Sequence, residues 1–326
     1  MRVPDGPETA SLVAATAILA VPQFLHIGGA VNNDNLLNLL TALLAVVLVY
    51  VALGGTSPRT GIWVGVLLGG ALLTKGFALA LPPWVAAAYL LGWLRNRRAR
   101  PLGFLVATGL SAAIGGWWWV RNVIVHGAIQ PSVPLLPAVP GFEPDPVAYW
   151  RDLFLPWLLE RWWGSFGWID TPLPRGLVLA ASALLAAGVV AALMRPTGGE
   201  RVGRLDVGML LLPTVLTLPV VGYGAWSLYT LTGQPSGIQG RYLFAGLVGI
   251  AVVVAAGYAR MLPWLPALAL VAAAWMNIRA VVTWSPWSGR ILAVGGVVRI
   301  VFAVATLAVA LRFAACPHPV PPGRES

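Results

Sequence analysis

The chain has 326 residues, of which 58% are hydrophobic and only 10% are charged. Soluble globular domains carry roughly 25% charged residues, so this composition excludes a water-soluble domain. A single cysteine also excludes an intramolecular disulfide scaffold. The sequence therefore predicts an all-α, polytopic integral membrane protein that forms one membrane domain over residues 1–326.

Apolar runs follow one another along most of the chain, and about 20 helical residues are needed to cross the hydrocarbon core of a bilayer. On this basis we predict about ten transmembrane helices. They cover residues 9–27, 35–53, 61–74, 76–94, 102–120, 176–194, 207–229, 243–259, 262–278 and 292–312. The run at 61–74 is short for a full crossing, so it is either a half-helix or a helix that tilts into its neighbour.

The 21 Lys and Arg residues outnumber the 11 Asp and Glu residues and give a net charge of +10. The arginines lie between apolar runs, where positive charge orients transmembrane helices, so we expect no nucleic-acid partner. The densest groups are Arg95, Arg97, Arg98 and Arg100, followed by Arg195, Arg201 and Arg204. The positive-inside rule places these groups and both termini in the cytoplasm, and it places residues 32–35, 121–175 and 230–241 outside.

The outward segment 121–175 is rich in charged and aromatic residues. Its stretch from Tyr149 to Trp168 interleaves aromatic residues and leucines with charges, a pattern typical of an amphipathic helix in the membrane interface. Two interpretations stay open. The segment is an aromatic belt that stabilises the fold, which we favour, or it is a lid over a site for lipid-linked substrates.

Asp34 is the only acidic residue between Glu8 and Glu143, and it lies where the chain turns outside and re-enters the membrane. Its carboxylate could cap the helix that follows. Alternatively, it could orient a sugar hydroxyl or accept a proton. Asn32 and Asn33 would then supply neutral hydrogen-bonding groups suited to a ligand rich in hydroxyls.

Further polar residues stand at the outward ends of apolar runs. Lys75 interrupts the otherwise uncharged run from 61 to 94, and an ionisable group there is a functional-site hypothesis by default. The other candidates are Arg121 and Asn122 after one span, and Gln239, Arg241 and Tyr242 before another. Each cation is either an interfacial anchor or a partner for a phosphate or carboxylate.

Known catalytic signatures are missing from the sequence, which contains no phosphate-binding loop, nucleophile elbow or dinucleotide fingerprint. Three scattered histidines and one cysteine do not form metal-ligand spacing. We therefore expect neither a metal nor a cofactor.

Several short motifs, taken in order, resemble the GT-C class of membrane glycosyltransferases. That class includes the protein O-mannosyltransferases and the aminoarabinose transferase of lipid A. The likeness is greatest to an uncharacterised bacterial membrane family of this type. The motifs are Pro22-Gln23-Phe24, Asn33-Asp34, Gly69 to Lys75, Trp119 to Asn122 with His126-Gly127, Gly164 to Trp168 with Pro172-Leu173-Pro174, and Gln239 to Tyr242.

The resemblance implies a multi-helix fold with an outward cavity in a bacterial plasma membrane. It also implies transfer of a sugar, with inversion, from a polyprenyl-phosphate donor to an acceptor on the outer face. Asp34 matches an outward acidic position of the class that helps to hold substrate. Lys75, Arg121 and Arg241 become candidates for contacts with the lipid phosphate.

One departure from the class concerns the first outward loop, where its members carry an aspartate presumed to act as the catalytic base. A single apolar span precedes Asn32 to Asp34, so we expect either an N-terminally shortened chain or a divergent member. Asp34 is then the remaining catalytic candidate. The alternative functions are a non-catalytic membrane partner protein and, third, a transporter or flippase of lipids or solutes.

Overall fold

A computed structural model describes residues 17–258 with gaps at 29, 97–100, 132–136, 167–168 and 195–202, together with residues 14, 271, 275, 276, 278 and 279. The fold is mostly helical. Its α-helices are α1 (Pro22–Gly28), α2 (Asn33–Ala52), α3 (Pro58–Thr74), α4 (Leu81–Arg95), α5 (Leu102–Ser111), α6 (Trp117–His126), α7 (Pro146–Ala148), α8 (Leu155–Trp163), α9 (Arg175–Leu193), α10 (Arg204–Thr232) and α11 (Leu247–Tyr258).

Shorter elements extend several of these helices. A 3-10 turn precedes α4 at Gly76–Ala80, and another precedes α11 at Gly240–Gly246. A π-helical turn at Ala112–Gly116 joins α5 to α6, and one at Tyr149–Phe154 joins α7 to α8. The joined elements form continuous rods.

Six helical rods among the described residues are long and apolar enough to cross a membrane. They are Asn33–Ala52, Gly76–Arg95, Leu102–His126, Arg175–Leu193, Arg204–Thr232 and Gly240–Tyr258. The predicted span at 292–312 lies outside the described residues, as does 262–278 apart from residues 271, 275, 276 and 278. The described part of the chain therefore supports six of the ten predicted spans.

The prediction of one continuous span at 9–27 is wrong in its second half. Residues 17–19 are helical, the chain turns at Ala20 and Val21, and α1 begins afresh at Pro22. Proline lacks the backbone N–H that would continue a helix, and it disfavours a helical conformation in the residue before it. It is well suited to the first helical position, which it occupies here.

The short run at 61–74 belongs to α3, whose 17 residues extend about 25 Å. Its glycines at 61, 65 and 69 lie four residues apart on one face, against the rod formed by α5 and the π-helical turn. A Cβ atom at Gly61 would meet the carbonyl oxygen of Gly103, and one at Gly69 would meet Ile114. The two backbones therefore approach as closely as small residues allow in membrane helix pairs.

Successive rods run in opposite directions, so their ends form two groups. At one end, here called the Asp34 end, Asn33 donates to the carbonyl of Thr74 at 3.4 Å. At the other, the Arg95 end, Arg95 donates to the carbonyl of Ala52 at 3.1 Å and pairs with Asp206 at 2.7 Å. Most of the polar residues predicted to form a site therefore lie at the Asp34 end.

The segment between α6 and α9 contains the predicted amphipathic helix, with different bounds. The helix runs from Pro146 through the π-helical turn to Trp163, five residues short of the expected end at Trp168. Ser165–Phe166 then pairs antiparallel with Thr171–Pro172. This small hairpin is an exception to the all-α prediction, because Gly164 interrupts the helix and the chain reverses direction after Phe166.

Candidate functional site

Asp34 lies in the first turn of α2 and its side chain is buried, with 4% of its surface exposed. It does not cap this helix with its side chain. Instead, Asn32 occupies the N-cap position, and its side-chain oxygen accepts a hydrogen bond of 2.9 Å from the backbone N–H of Asp34. The carboxylate of Asp34 is therefore available for other partners, at a helix end that favours negative charge.

Two cations converge on that carboxylate. Lys75 Nζ forms an ion pair with Oδ1, and Arg241 Nε lies 3.2 Å from Oδ2. Asp34, Lys75 and Arg241 come from three separate elements, and we call them the Asp34 cluster. With two cations and one carboxylate, the cluster carries a net positive charge of one.

A break in the helical path positions Lys75. Helix α3 ends at Thr74, Lys75 is extended (φ −162°, ψ 147°), and the chain then enters the 3-10 turn. The ammonium group also faces aromatic rings, since Nζ lies 4.7 Å from the ring centre of Tyr242 and 5.6 Å from that of Phe77. Cation–π attraction therefore adds to the ion pair.

Arg121 and Asn122 were predicted to join the same site, and the described contacts do not bring them to the Asp34 cluster. Asn122 is buried and donates to the carbonyl of Ile129 at 3.1 Å, so it holds the turn after α6. Arg121 lies 5.3 Å from the ring centre of Trp118 and 3.4 Å from the side-chain oxygen of Asn122. These contacts match an interfacial anchor.

A small polar cavity of about 30 Å³ adjoins the Asp34 cluster through Arg241. Its lining comes from α1, α8, the hairpin and the chain before α11. The lining residues are Gln23, His26, Arg161, Ser165, Ile169, Gln239 and Arg241. We call it the arginine cavity.

Sequence reasoning did not identify Arg161 and Ser165 as site residues. Ser165 falls within the Gly164 to Trp168 motif, which was one available signal. No sequence signal distinguished Arg161, because it is one of several charged residues in an aromatic stretch. In the structure its Nη1 donates to the carbonyl of Ile238 at 2.6 Å, and its guanidinium lies 4.4 Å from the ring centre of Trp157.

Burial dominates the electrostatics around the cavity. It lowers the pKa of His26, and the charge of Arg241 lowers that pKa further. It raises the pKa of Glu160, an effect that the neighbouring Arg161 partly offsets. Removal from water disfavours the charged form of each group, so His26 resists protonation.

The arrangement suits an anionic ligand with hydroxyl groups. Lysine and arginine side chains bind phosphate or carboxylate oxygens, and the carboxylate of Asp34 can accept a hydrogen bond from a hydroxyl. No group of three His, Cys, Asp or Glu side chains within the described ranges could hold a metal ion.

Comparison with known proteins adds one finding. The family model described as "Predicted membrane protein (DUF2142)" matches residues 5–250, a range that includes both the Asp34 cluster and the arginine cavity. No curated protein and no solved structure matches the chain. With its several apolar membrane helices, the chain belongs to the DUF2142 family of membrane proteins.

Proposed function

We propose that the protein transfers a sugar from a polyprenyl-phosphate-linked donor to an acceptor at the Asp34 end of the bundle. The observation that carries the proposal is that Lys75 and Arg241, from two separate elements, both contact the buried carboxylate of Asp34 on a third. Isolated charges in apolar helices are costly, and they commonly mark substrate sites.

In the proposed reaction, an acceptor hydroxyl attacks the anomeric carbon of the sugar. The bond from this carbon to the phosphate oxygen breaks, and polyprenyl phosphate leaves with the electron pair. Lys75 and Arg241 would stabilise the charge that develops on the leaving phosphate. Asp34 would accept the hydroxyl proton, and a single displacement of this kind inverts the anomeric centre.

We further propose that the Asp34 end faces outward from a bacterial plasma membrane and that both termini are cytoplasmic. The proposal is supported by the positions of Arg95 and Arg204, which lie at the opposite end of the bundle. Positive charge near helix ends marks the cytoplasmic side. Lipid-linked donors would then reach the site from the outer leaflet.

The test is a transfer assay with the full chain in proteoliposomes and a radiolabelled polyprenyl-phosphate sugar. We expect Asp34→Asn to lower turnover by about 10²–10⁴-fold, the usual contribution of a general base. Arg241→Ala should also lower turnover, because it removes a phosphate partner. Arg175→Gln, an exposed cation at the same end, serves as the matched control. Unchanged turnover in both site variants would contradict the proposal.

A second candidate function, binding of the anionic lipid without sugar transfer, is favoured by one observation. Both carboxylate oxygens of Asp34 lie beside a cation of the protein itself, which suits a carboxylate that holds Lys75 and Arg241 in place for an anionic ligand. Binding of labelled donor by the wild-type chain, with no product from any acceptor offered, would favour this function.

A further inference from the structure

The arginine cavity contains buried polar atoms for which the described residues provide no hydrogen-bond partner. They are Ser165 Oγ and Arg161 Nε, whereas Nε of Arg241 faces Asp34 Oδ2 at 3.2 Å. Ser165 is 2% exposed, so water at the protein surface does not satisfy its hydroxyl. Buried polar groups in folded proteins are almost always hydrogen-bonded, so this concentration of open partners points to a bound polar group.

The charged residues around the cavity indicate whether the bound group is an anion or a cation. Arg161 and Arg241 are the charged residues of the lining, which contains no carboxylate. The carboxylates that interact with these arginines are Asp34, which Arg241 shares with Lys75, and Glu160, which precedes Arg161 in the chain. Lys75, Arg161 and Arg241 then face Asp34 and Glu160, so the positive charges in these contacts outnumber the negative ones by one, which favours an anion.

The size of the cavity limits the occupant further. About 30 Å³ is room for roughly two or three water molecules. A single phosphate group is of that order, whereas a sugar ring is larger. In proteins, phosphate oxygens commonly accept hydrogen bonds from arginine guanidinium groups and from hydroxyl groups.

We propose that the arginine cavity binds one phosphate group, with Arg161 and Arg241 on its oxygens and Ser165 donating a hydroxyl hydrogen bond. Phosphate binding at this cavity does not require that the protein transfers sugar. Its assignment to the phosphate of the lipid donor rests on the proposed function. Arg241 then links the two positions, since it contacts Asp34 on one side and the phosphate on the other.

The backbone around Ser165 is held before any ligand arrives. Gln23 accepts a hydrogen bond of 2.9 Å from the Ser165 N–H, which ties the hairpin to α1. Ile169, in the turn of that hairpin, has φ of +73°, an uncommon conformation for a β-branched residue. Gln23 is therefore a positioning residue for Ser165.

The experiment measures binding to the full chain in dodecyl maltoside micelles with two probes, radiolabelled inorganic phosphate and polyprenyl phosphate. We expect Ser165→Ala to weaken phosphate binding by about tenfold, the value of one hydrogen bond to a charged group. Arg161→Gln should weaken it at least as much. Arg175→Gln, an exposed arginine at the same end, should leave it unchanged.

Ser165→Ala keeps the proposal testable if Arg161→Gln fails to fold, because Arg161 also bonds to the carbonyl of Ile238. The Ser165 hydroxyl has no such partner among the described residues, so its removal should leave folding intact.

Binding of inorganic phosphate would show that the group alone suffices, and binding of polyprenyl phosphate alone would identify the lipid as its source. Either result supports the proposal if it depends on Ser165. Absence of saturable binding for both probes, or affinities that Ser165→Ala and Arg161→Gln leave unchanged, would overturn it. A chain that binds phosphate through Ser165 but transfers no sugar would refute the proposed function alone.

Discussion

At the scale of single residues, Asp34 illustrates how the structure separates two roles that the sequence left open. Capping of α2 belongs to Asn32, whereas the carboxylate of Asp34 pairs with Lys75 and Arg241. A buried ion pair is not in itself stabilising, because desolvation of its members offsets their attraction. Removal of one member is costly, because the other is left buried without its partner.

The ion pairs of the Asp34 cluster determine how its variants should differ in stability. Lys75→Met should lower the free energy of unfolding by about 1–3 kcal/mol, less than the full buried-pair cost because the Lys75 side chain is 19% exposed. Asp34→Asn should cost less in the Lys75→Met background than in the wild type, because one cation instead of two then loses its carboxylate partner. Thermal unfolding in detergent of both single variants and the double variant measures the coupling. Purely additive losses would contradict it.

Glu160 predicts a pH dependence of stability. Burial raises its pKa above the ordinary value, so the folded state keeps a proton that the unfolded state has lost. The resulting stability is fully present below the ordinary pKa of 4.5 and is lost as pH rises through the raised pKa. Glu160→Gln should therefore raise the Tm near pH 7, and the gain should shrink as pH falls toward 4.5.

The control for this experiment is Glu143→Gln, which alters an exposed glutamate of the same segment. It should show little change in Tm across that pH range. A gain for Glu160→Gln that grows on acidification would mean that the attraction to Arg161 outweighs burial.

At the scale of elements, the glycines of α3 set the distance to the neighbouring rod. Gly61, Gly65 and Gly69 face Gly103, Leu110 and Ile114, whereas a Cβ atom at Gly70 on the same helix would lie an ordinary 3.5 Å from Leu40. The four-residue spacing is visible in the sequence, but the partner is not, because the pattern does not say which helix it contacts.

Two alanine substitutions on α3 test this packing. Gly61→Ala should destabilise the protein by about 1–3 kcal/mol, because its Cβ would meet the backbone oxygen of Gly103. Gly70→Ala has room and should be neutral or stabilising by up to about 1 kcal/mol, since alanine favours a helix. Thermal unfolding of the two variants compares them directly. Equal changes in stability at both positions would show that helix propensity, and not the close approach of the two backbones, determines the effect of the substitutions.

The elements that sequence predicts well are those set by local apolar length. The rods Asn33–Ala52, Gly76–Arg95 and Arg175–Leu193 begin and end within two residues of the predicted spans. The features that sequence missed depend on distant contacts. The π-helical turns and the hairpin at Ser165–Pro172 are examples, because no local signal of hydropathy specifies them.

The same division applies to the site. Asp34, Lys75 and Arg241 stand out because each is an isolated charge beside apolar runs. Arg121 meets the same criterion but contacts Trp118, since only the tertiary fold decides which cations converge. Arg161 and Ser165 reach the arginine cavity from a segment whose many charges hide them.

At the scale of the whole molecule, the two ends of the bundle differ in what they carry. The Asp34 end holds the cluster and the cavity, and the Arg95 end holds an ion pair between α4 and α10. In the proposed orientation, the Arg95 end faces the cytoplasm.

This orientation predicts the labelling of introduced cysteines in a Cys316→Ser background. Asp170→Cys is exposed at the Asp34 end, and Leu53→Cys is exposed at the Arg95 end. A membrane-impermeant maleimide added to intact cells should label the first, and it should label the second only after lysis. The reverse pattern would place the proposed site in the cytoplasm.

The contact between the amphipathic helix and the start of the last described rod has a consequence for ligand affinity. The backbone of Gly240 lies against Trp162, where a Cβ atom would not fit, and Arg161 is bonded to Ile238. Two attachments thus fix the separation of the guanidinium groups of Arg161 and Arg241. A receptor that is already in its binding geometry loses little conformational entropy on association, so an incoming phosphate would meet a preorganised pair of arginines.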